Sequence, residues 1–245
     1  MTELKPFNGI LYDLALDWAI KPSNDKLLKY LKHKNEIGER LQGLNKKNSF
    51  SLFRNHDIAR YLAGFFLNKL PKNKEDLEKM LKLSLKGKKV LEIGANLAYS
   101  QIFNKNADYQ VSELEGHNRY FPEIDETLEE FYKRNDVNAL FVKNKHLDIV
   151  PKNLEKTGPF DIICSYNVWA DGTSGSYDPC HIQSFLDYNK HLKPFGLVYH
   201  YGFPFQNLGG QREALQKIKE ENSIVMLPGG ISPVISFDGS GVKIK

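Results

Sequence analysis

Gly94 and Glu113 carry the first chemical signal in this chain. Gly94 closes the short apolar run Val90–Leu91–Glu92–Ile93. Glu113 closes a second run, Tyr109–Gln110–Val111–Ser112, 19 positions (113 − 94) further on. A strand ending in glycine, then a turn, a helix and a second strand ending in an acid, is how doubly wound sheets hold a nucleoside. The glycine lets the backbone approach the ligand, and the acid accepts hydrogen bonds from ribose hydroxyls. Glu115 alternates with Glu113 and is the fallback; Glu113 is preferred because it directly follows the strand run. A dinucleotide pyrophosphate asks for G-x-G-x-x-G. Those positions hold Gly94, Asn96 and Tyr99, so NAD and FAD fit poorly. A nucleoside ligand without phosphate asks less of the loop.

The elements around this pair follow from periodicity. Val90–Gly94 reads as a buried strand and Leu97 to Asn104 as a short helix. Tyr109–Glu113 is a second strand, Glu123 to Arg134 a helix opened by Pro122, and Ala139–Val142 a third strand. Phe160–Ser165 is a fourth, His181 to His191 a helix, Gly196–Tyr201 a fifth strand, and Gln211 to Glu220 a helix. Strands alternating with helices imply parallel pairing through crossovers. The last part differs: Ser223–Leu227, the turn Pro228–Gly229–Gly230, and Ile231–Phe237 read as strand, turn, strand, closing on Asp238–Gly239–Ser240–Gly241. The predicted fold is therefore α/β: a doubly wound, mostly parallel, seven-stranded sheet with an antiparallel C-terminal strand and an N-terminal helical cap.

The helical part precedes Lys86–Gly87–Lys88–Lys89. Asn73 caps a helix with Glu75 and Asp76 in its first turn, and Leu77, Met80, Leu81, Ser84 and Leu85 fall on one face. Ile58 to Leu70 reads as another helix. The first fifty residues suggest two or three more, broken at Pro22–Ser23–Asn24 and at Gly43. The expected division is 1–85, a helical cap on the substrate side, and 86–245, the ligand-binding domain.

Composition narrows the classes. The chain has 245 residues, 41% hydrophobic and 26% charged, ordinary values for a globular protein. The net charge of +4, from 34 basic and 30 acidic side chains, permits a phosphate-bearing substrate without demanding nucleic acid. Cys164 and Cys180 give neither a disulfide framework nor a zinc motif. No apolar run reaches a membrane span, and a cytoplasmic protein is expected.

Four stretches together resemble a family. Glu92-x-Gly94-x-Asn96-x-Ala98 resembles the first motif, acidic-x-Gly-x-Gly-x-Gly, of the class I S-adenosylmethionine-dependent methyltransferases. Asp148, 13 positions before Asp161, is similar to the acid after the third strand. Phe160 to Asn167 resembles the fourth-strand motif. His191–Leu192–Lys193–Pro194–Phe195–Gly196 is similar to the turn before the fifth strand. The resemblance spans about residues 86 to 245. It departs at Asn96 and Ala98, which stand for glycines, and Asn is among the ordinary residues best able to take positive φ.

The resemblance implies S-adenosylmethionine as methyl donor and S-adenosylhomocysteine as product. It implies that Glu92 orients the methionine ammonium, that Gly94, Ala95 and Asn96 admit the ligand to the backbone, and that Glu113 binds the ribose. Leu147, Asp148 and Ile149 would flank the adenine, and Ser165 and Asn167 would line the methionyl end. Methyl transfer from a sulfonium is an in-line displacement in which alignment of the acceptor matters most. A hydroxyl acceptor also benefits from a general base. Asp171, in the long polar loop Trp169 to Pro179, His181 and His200 are the candidates. The aromatic cluster Tyr199, His200, Tyr201, Phe203 and Phe205 suits a sugar or aromatic acceptor. The expected activity is O-methylation of a small molecule, such as a sugar or phosphorylated metabolite, with no bound metal. Two alternatives stay open: a nucleic-acid methyltransferase, marked by a basic groove and steep salt dependence, and a methyltransferase-like binding module without catalysis.

Overall fold

The computed structural model describes residues 5–47, 58–94, 99–114, 126–142, 154–166, 179–201, 208–230 and 236–245. In chain order the elements are α1 (Ile10–Ile20), α2 (Asn24–Lys47), α3 (Ile58–Gly64), α4 (Lys74–Leu85), β1 (Lys89–Ile93), α5 (Ser100–Phe103), β2 (Asp108–Leu114) and α6 (Leu128–Arg134). They continue as β3 (Asn138–Val142), α7 (Leu154–Thr157), β4 (Phe160–Tyr166), α8 (Pro179–Asn189), β5 (Leu192–Tyr201), α9 (Leu208–Asn222), β6 (Ile224–Gly230) and β7 (Ser236–Lys243).

The seven strands form one sheet in the order β3-β2-β1-β4-β5-β7-β6. The pairs β1–β2, β2–β3, β1–β4 and β4–β5 are parallel; β7 runs antiparallel to both β5 and β6. The chain moves outward from β1 through β2 and β3, then returns to the other side of β1 with β4 and β5. The strand order thus reverses between β1 and β4. In an open α/β sheet, the crevice at the carboxyl ends of such strands is where ligands bind.

Strand alternation divides the core between two helical layers. Val90, Tyr109, Val111, Ile162, Cys164, Leu197, Tyr199 and Val242 share a cluster with Leu11 and Tyr12 of α1, Leu81 and Leu85 of α4, Phe103 of α5, and Phe131 and Tyr132 of α6. Leu91, Ile93, Ile163 and Val198 face the other way and pack with Leu154 of α7, Ile182 and Phe185 of α8, and Ala214 and Ile218 of α9. Period-two sequences meeting helices on both faces is the doubly wound arrangement. The helices before residue 86 are thus part of the first layer. Tyr12 hydroxyl donates to Phe195 O at 2.6 Å, tying α1 to the amino end of β5. At that same edge Asp161, 4% exposed, accepts from Lys89 N and Lys193 Nζ, both at 2.8 Å, locking β1, β4 and β5 together.

Several elements match the sequence reading closely. Asn73 caps α4 by accepting from Asp76 N at 2.8 Å, and Leu77, Met80, Leu81 and Leu85 are buried as their spacing requires. Burying each such side chain contributes about 1.5–3 kcal/mol relative to leaving it exposed.

Other elements differ. Gly43 does not interrupt α2, which runs unbroken to Lys47; a Cβ there would meet nothing, and one glycine costs a helix only about 1 kcal/mol. The helix expected over Ile58–Leu70 ends at Gly64, because the next carbonyls serve other elements: Leu67 O accepts from Ile10 N and Phe66 O from the Ser84 hydroxyl. α6 begins at Leu128 rather than in the Glu123 region. Thr127 Oγ1 accepts from Glu130 N while Glu130 accepts from Thr127 N, a capping box that sets the start. α7 was not foreseen. The final hairpin is shifted: β6 runs on through Pro228–Gly230, and Gly239 and Gly241 lie inside β7. Those two glycines serve close packing. At Gly239, φ is +82° and a Cβ would stand 1.9 Å from His200 O; at Gly241 it would meet Met226 Sδ at 2.8 Å.

Candidate functional site

β1 sits between β2 and β4, with Ile93 opposite both Ser112 and Ser165, so the carboxyl ends of these strands are level. Gly94 follows β1 at once. Its φ of +60° lies in the left-handed region that glycine takes without steric cost. Its N–H donates to Ser112 O at 2.7 Å, which carries the β1–β2 ladder one step past Ile93. A strand thus feeds a left-handed glycine at the switch point.

Among the described residues, two carboxylates stand at this edge on the α4–α6 side of the sheet. Glu92 is fully buried and accepts from the Tyr109 hydroxyl at 2.5 Å. Glu113, 4% exposed, accepts from the Tyr132 hydroxyl at 3.0 Å. Both bonds use Oε2. Burial, the charge of Glu92 and the hydrogen bond to it push the Tyr109 phenol well above its ordinary range. Burial, then Glu92, does the same to the Cys164 thiol on the adjacent strand. Neither group titrates near neutral pH, so Tyr109 remains a donor.

A second polar group lies on the other face, under α8. Ser165 Oγ is 2.8 Å from His200 Nδ1, and the Asn189 amide is 3.2–3.3 Å from His200 Nε2. Serine and asparagine can each donate or accept, so either neutral tautomer is satisfied. Burial lowers the His200 pKa to about 3. Phe185 packs edge-on against the imidazole with centroids 4.7 Å apart. Beside them the Ser112 and Tyr188 hydroxyls are 3.0 Å apart, and burial raises the Tyr188 phenol to about 12. The Tyr99 hydroxyl, just past the first motif, donates to Ser165 O at 3.2 Å. It fixes the start of α5 to the end of β4.

The structure thus brings Glu92, Gly94, Glu113 and Ser165 to one edge, with His200 enclosed beneath it. His200 has no exposed surface, and both of its ring nitrogens are engaged. Ala95, Asn96, Ala98, Glu115, Leu147, Asp148, Ile149, Asn167 and Asp171 lie outside the described residues. The backbone of His181 belongs to the first turn of α8; its side chain is also outside them. Sequence reasoning missed Tyr99, Tyr109, Tyr132, Tyr188 and Asn189. Tyr109 had a signal, since period two places it on the face of Glu113. Tyr132 had none before the start of α6 was known. Among the described residues, no group of three or more His, Cys, Asp and Glu side chains is placed to hold a metal ion. No described helix is long and apolar enough to cross a membrane.

No protein-family model matches the sequence, and no curated protein matches it. Solved structures do share part of its trace. A 16S rRNA methyltransferase from T. thermophilus, solved with AdoMet and guanosine, is 16% identical with a TM-score of 0.41; the match covers 70% of this chain and 41% of that one. The chain therefore spans about two fifths of that protein's length. A methyltransferase from Pyrococcus furiosus is 20% identical with a TM-score of 0.38, covering 73% of this chain and 85% of that one. An amino pentose methyltransferase from Micromonospora echinaspora is 13% identical with a TM-score of 0.34, covering 51% and 48%.

Proposed function

We propose that this protein is a methyltransferase that takes its methyl group from S-adenosylmethionine. The observation that carries the reading is local: Gly94, at positive φ, closes β1 at the switch point, with Glu113 closing the neighbouring strand. That pair suits a nucleoside. The buried carboxylate of Glu92, on the strand that ends at Gly94, suits the ammonium of an amino acid joined to it. The residues present therefore fit S-adenosylmethionine, and a pyrophosphate ligand fits them less well.

In this reading the bound donor supplies an activated methyl group on a sulfonium. Glu113 accepts from the ribose hydroxyls, and Glu92 orients the amino-acid end. Gly94, with Ala95 and Asn96, admits the ligand to the backbone. Leu147, Asp148 and Ile149 flank the adenine, and Ser165 and Asn167 line the methionyl end. The acceptor lies towards the ends of β4 and β5. We assign it to the small molecules, with an oxygen nucleophile, and draw its base from Asp171 and His181. His200 fits a different role. A fully buried imidazole with a pKa near 3 and two engaged nitrogens is a poor base. It suits holding Ser165 and Asn189 in place. The segment 1–85 is assigned to shaping the acceptor side. Lys34 of α2 supports this by donating to Gly229 O, at the carboxyl end of β6, at 3.2 Å.

Calorimetry with S-adenosylhomocysteine tests the reading without an acceptor. Wild-type protein should bind, and Glu113→Ala should weaken binding by about tenfold or more, the scale of lost hydrogen bonds to a charged group. Equal affinity of the two proteins would remove Glu113 from the site. No binding by the wild type at millimolar ligand would overturn the donor.

A further inference from the structure

We propose that Tyr109 and Tyr132 are positioning residues for the nucleoside site, Tyr109 acting through Glu92 and Tyr132 through Glu113. The inference rests on the reading above and deepens it. Each carboxylate assigned to the ligand receives a phenol hydroxyl on Oε2, and no sequence motif includes either tyrosine. The four side chains are buried together: Tyr109 is 6% exposed, Tyr132 1%, Glu92 0% and Glu113 4%.

A glutamate has three side-chain torsions and, unrestrained, samples many rotamers. A hydrogen bond donated by a fixed phenol selects one of them. The phenols can do this only if their own rings are fixed. Tyr109 packs on Phe103 with centroids 6.0 Å apart, and Tyr132 packs on Phe131 at 5.4 Å and Phe141 at 6.2 Å. Tyr109 is held by β2 itself. Tyr132 is held by α6, whose start is set by the Thr127–Glu130 capping box. The two carboxylates are thus oriented by two different elements. Because Tyr109 stays protonated through any practical assay pH, its bond is a fixed constraint and does not switch.

The two tyrosines should therefore govern different parts of one ligand. Tyr132, through Glu113, acts on the ribose. Tyr109, through Glu92, acts on the amino-acid end. The test uses the full chain, calorimetry and two probes: S-adenosylhomocysteine, and 5′-methylthioadenosine, which has the nucleoside but no ammonium. Tyr132→Phe should weaken both probes by about tenfold. Tyr109→Phe should weaken S-adenosylhomocysteine by about tenfold and leave 5′-methylthioadenosine within about twofold. Both substitutions keep the ring and its packing.

Wild-type affinity in both variants, or equal losses on both probes in both, would overturn the inference while leaving the donor reading intact. A wild-type protein that binds neither probe would overturn the donor reading, and this inference with it. Should Tyr109→Phe fail to fold, the other pair decides. Tyr132→Phe added to Glu113→Gln should then cost no further affinity beyond Glu113→Gln alone; additive losses would show that Tyr132 does not act through Glu113.

Discussion

His200 shows how far a residue's surroundings can change its chemistry. At the end of a strand beside aromatic residues it looks like a base. In the fold it is an enclosed, neutral imidazole with a pKa of about 3. An unfolded histidine takes up its proton near pH 6.5. Between those values the unfolded chain binds a proton that the folded chain does not, so lowering the pH favours unfolding. Its contribution is fully present above about pH 6.5 and is lost progressively as the pH falls towards 3. Urea-unfolding free energies should therefore fall between pH 7 and pH 5, with a limiting slope of roughly 1.4 kcal/mol per pH unit from this group. His200→Gln should flatten that decline. An unchanged slope in the variant would mean that other groups cause it. The burial of His191 lowers its pKa in the same direction, so some slope should remain.

At the scale of elements, α6 depends most on one local device. Thr127→Ala removes the acceptor for Glu130 N and should cost about 1 kcal/mol, read as a lower denaturation midpoint without a change in denaturant slope. The strands β1, β2, β4 and the second half of β5 were legible because continuous or alternating apolar runs mark strands whatever surrounds them. α4 was legible because Asn73 and its apolar face agree. Where the reading failed, a residue type had two uses. Gly239 and Gly241 looked like turn punctuation, but they lie within β7, where they make room for His200 and Met226. Thr127-x-x-Glu130 was a readable start signal, overridden by Pro122. α7 spans only four residues, too few to show a period. Gly94 and Glu113 could be picked out from spacing and Glu92 from the resemblance, since motif and strand end coincide. Tyr109 could have been found from the same alternation, but Tyr132 could not, because a contact between α6 and β2 depends on the crossover that joins them.

At the scale of the whole molecule, the helices before residue 86 are integral to one face of the sheet. Leu11, Tyr12, Leu62 and Phe66 cover the same surface as Val90, Val111, Leu197 and Val242. A chain beginning at Lys86 would expose that apolar face, and we expect it to aggregate or to bind a hydrophobic dye instead of giving a cooperative melt. A soluble fragment that unfolds cooperatively would show that 86–245 folds alone. The placement of β7 also bears on the order in which the molecule can be completed. β5 and β6 do not pair with each other; each meets only β7 on the side that joins them. During synthesis both strands leave the ribosome before the strand that bridges them. Until Ser236–Lys243 arrives, β5 presents an open edge and β6 has no strand partner among the described residues. Such edges are the places where nascent chains pair wrongly with one another. β7 is therefore the strand that completes this part of the sheet, and the interval before it docks is when these edges are open to mispairing.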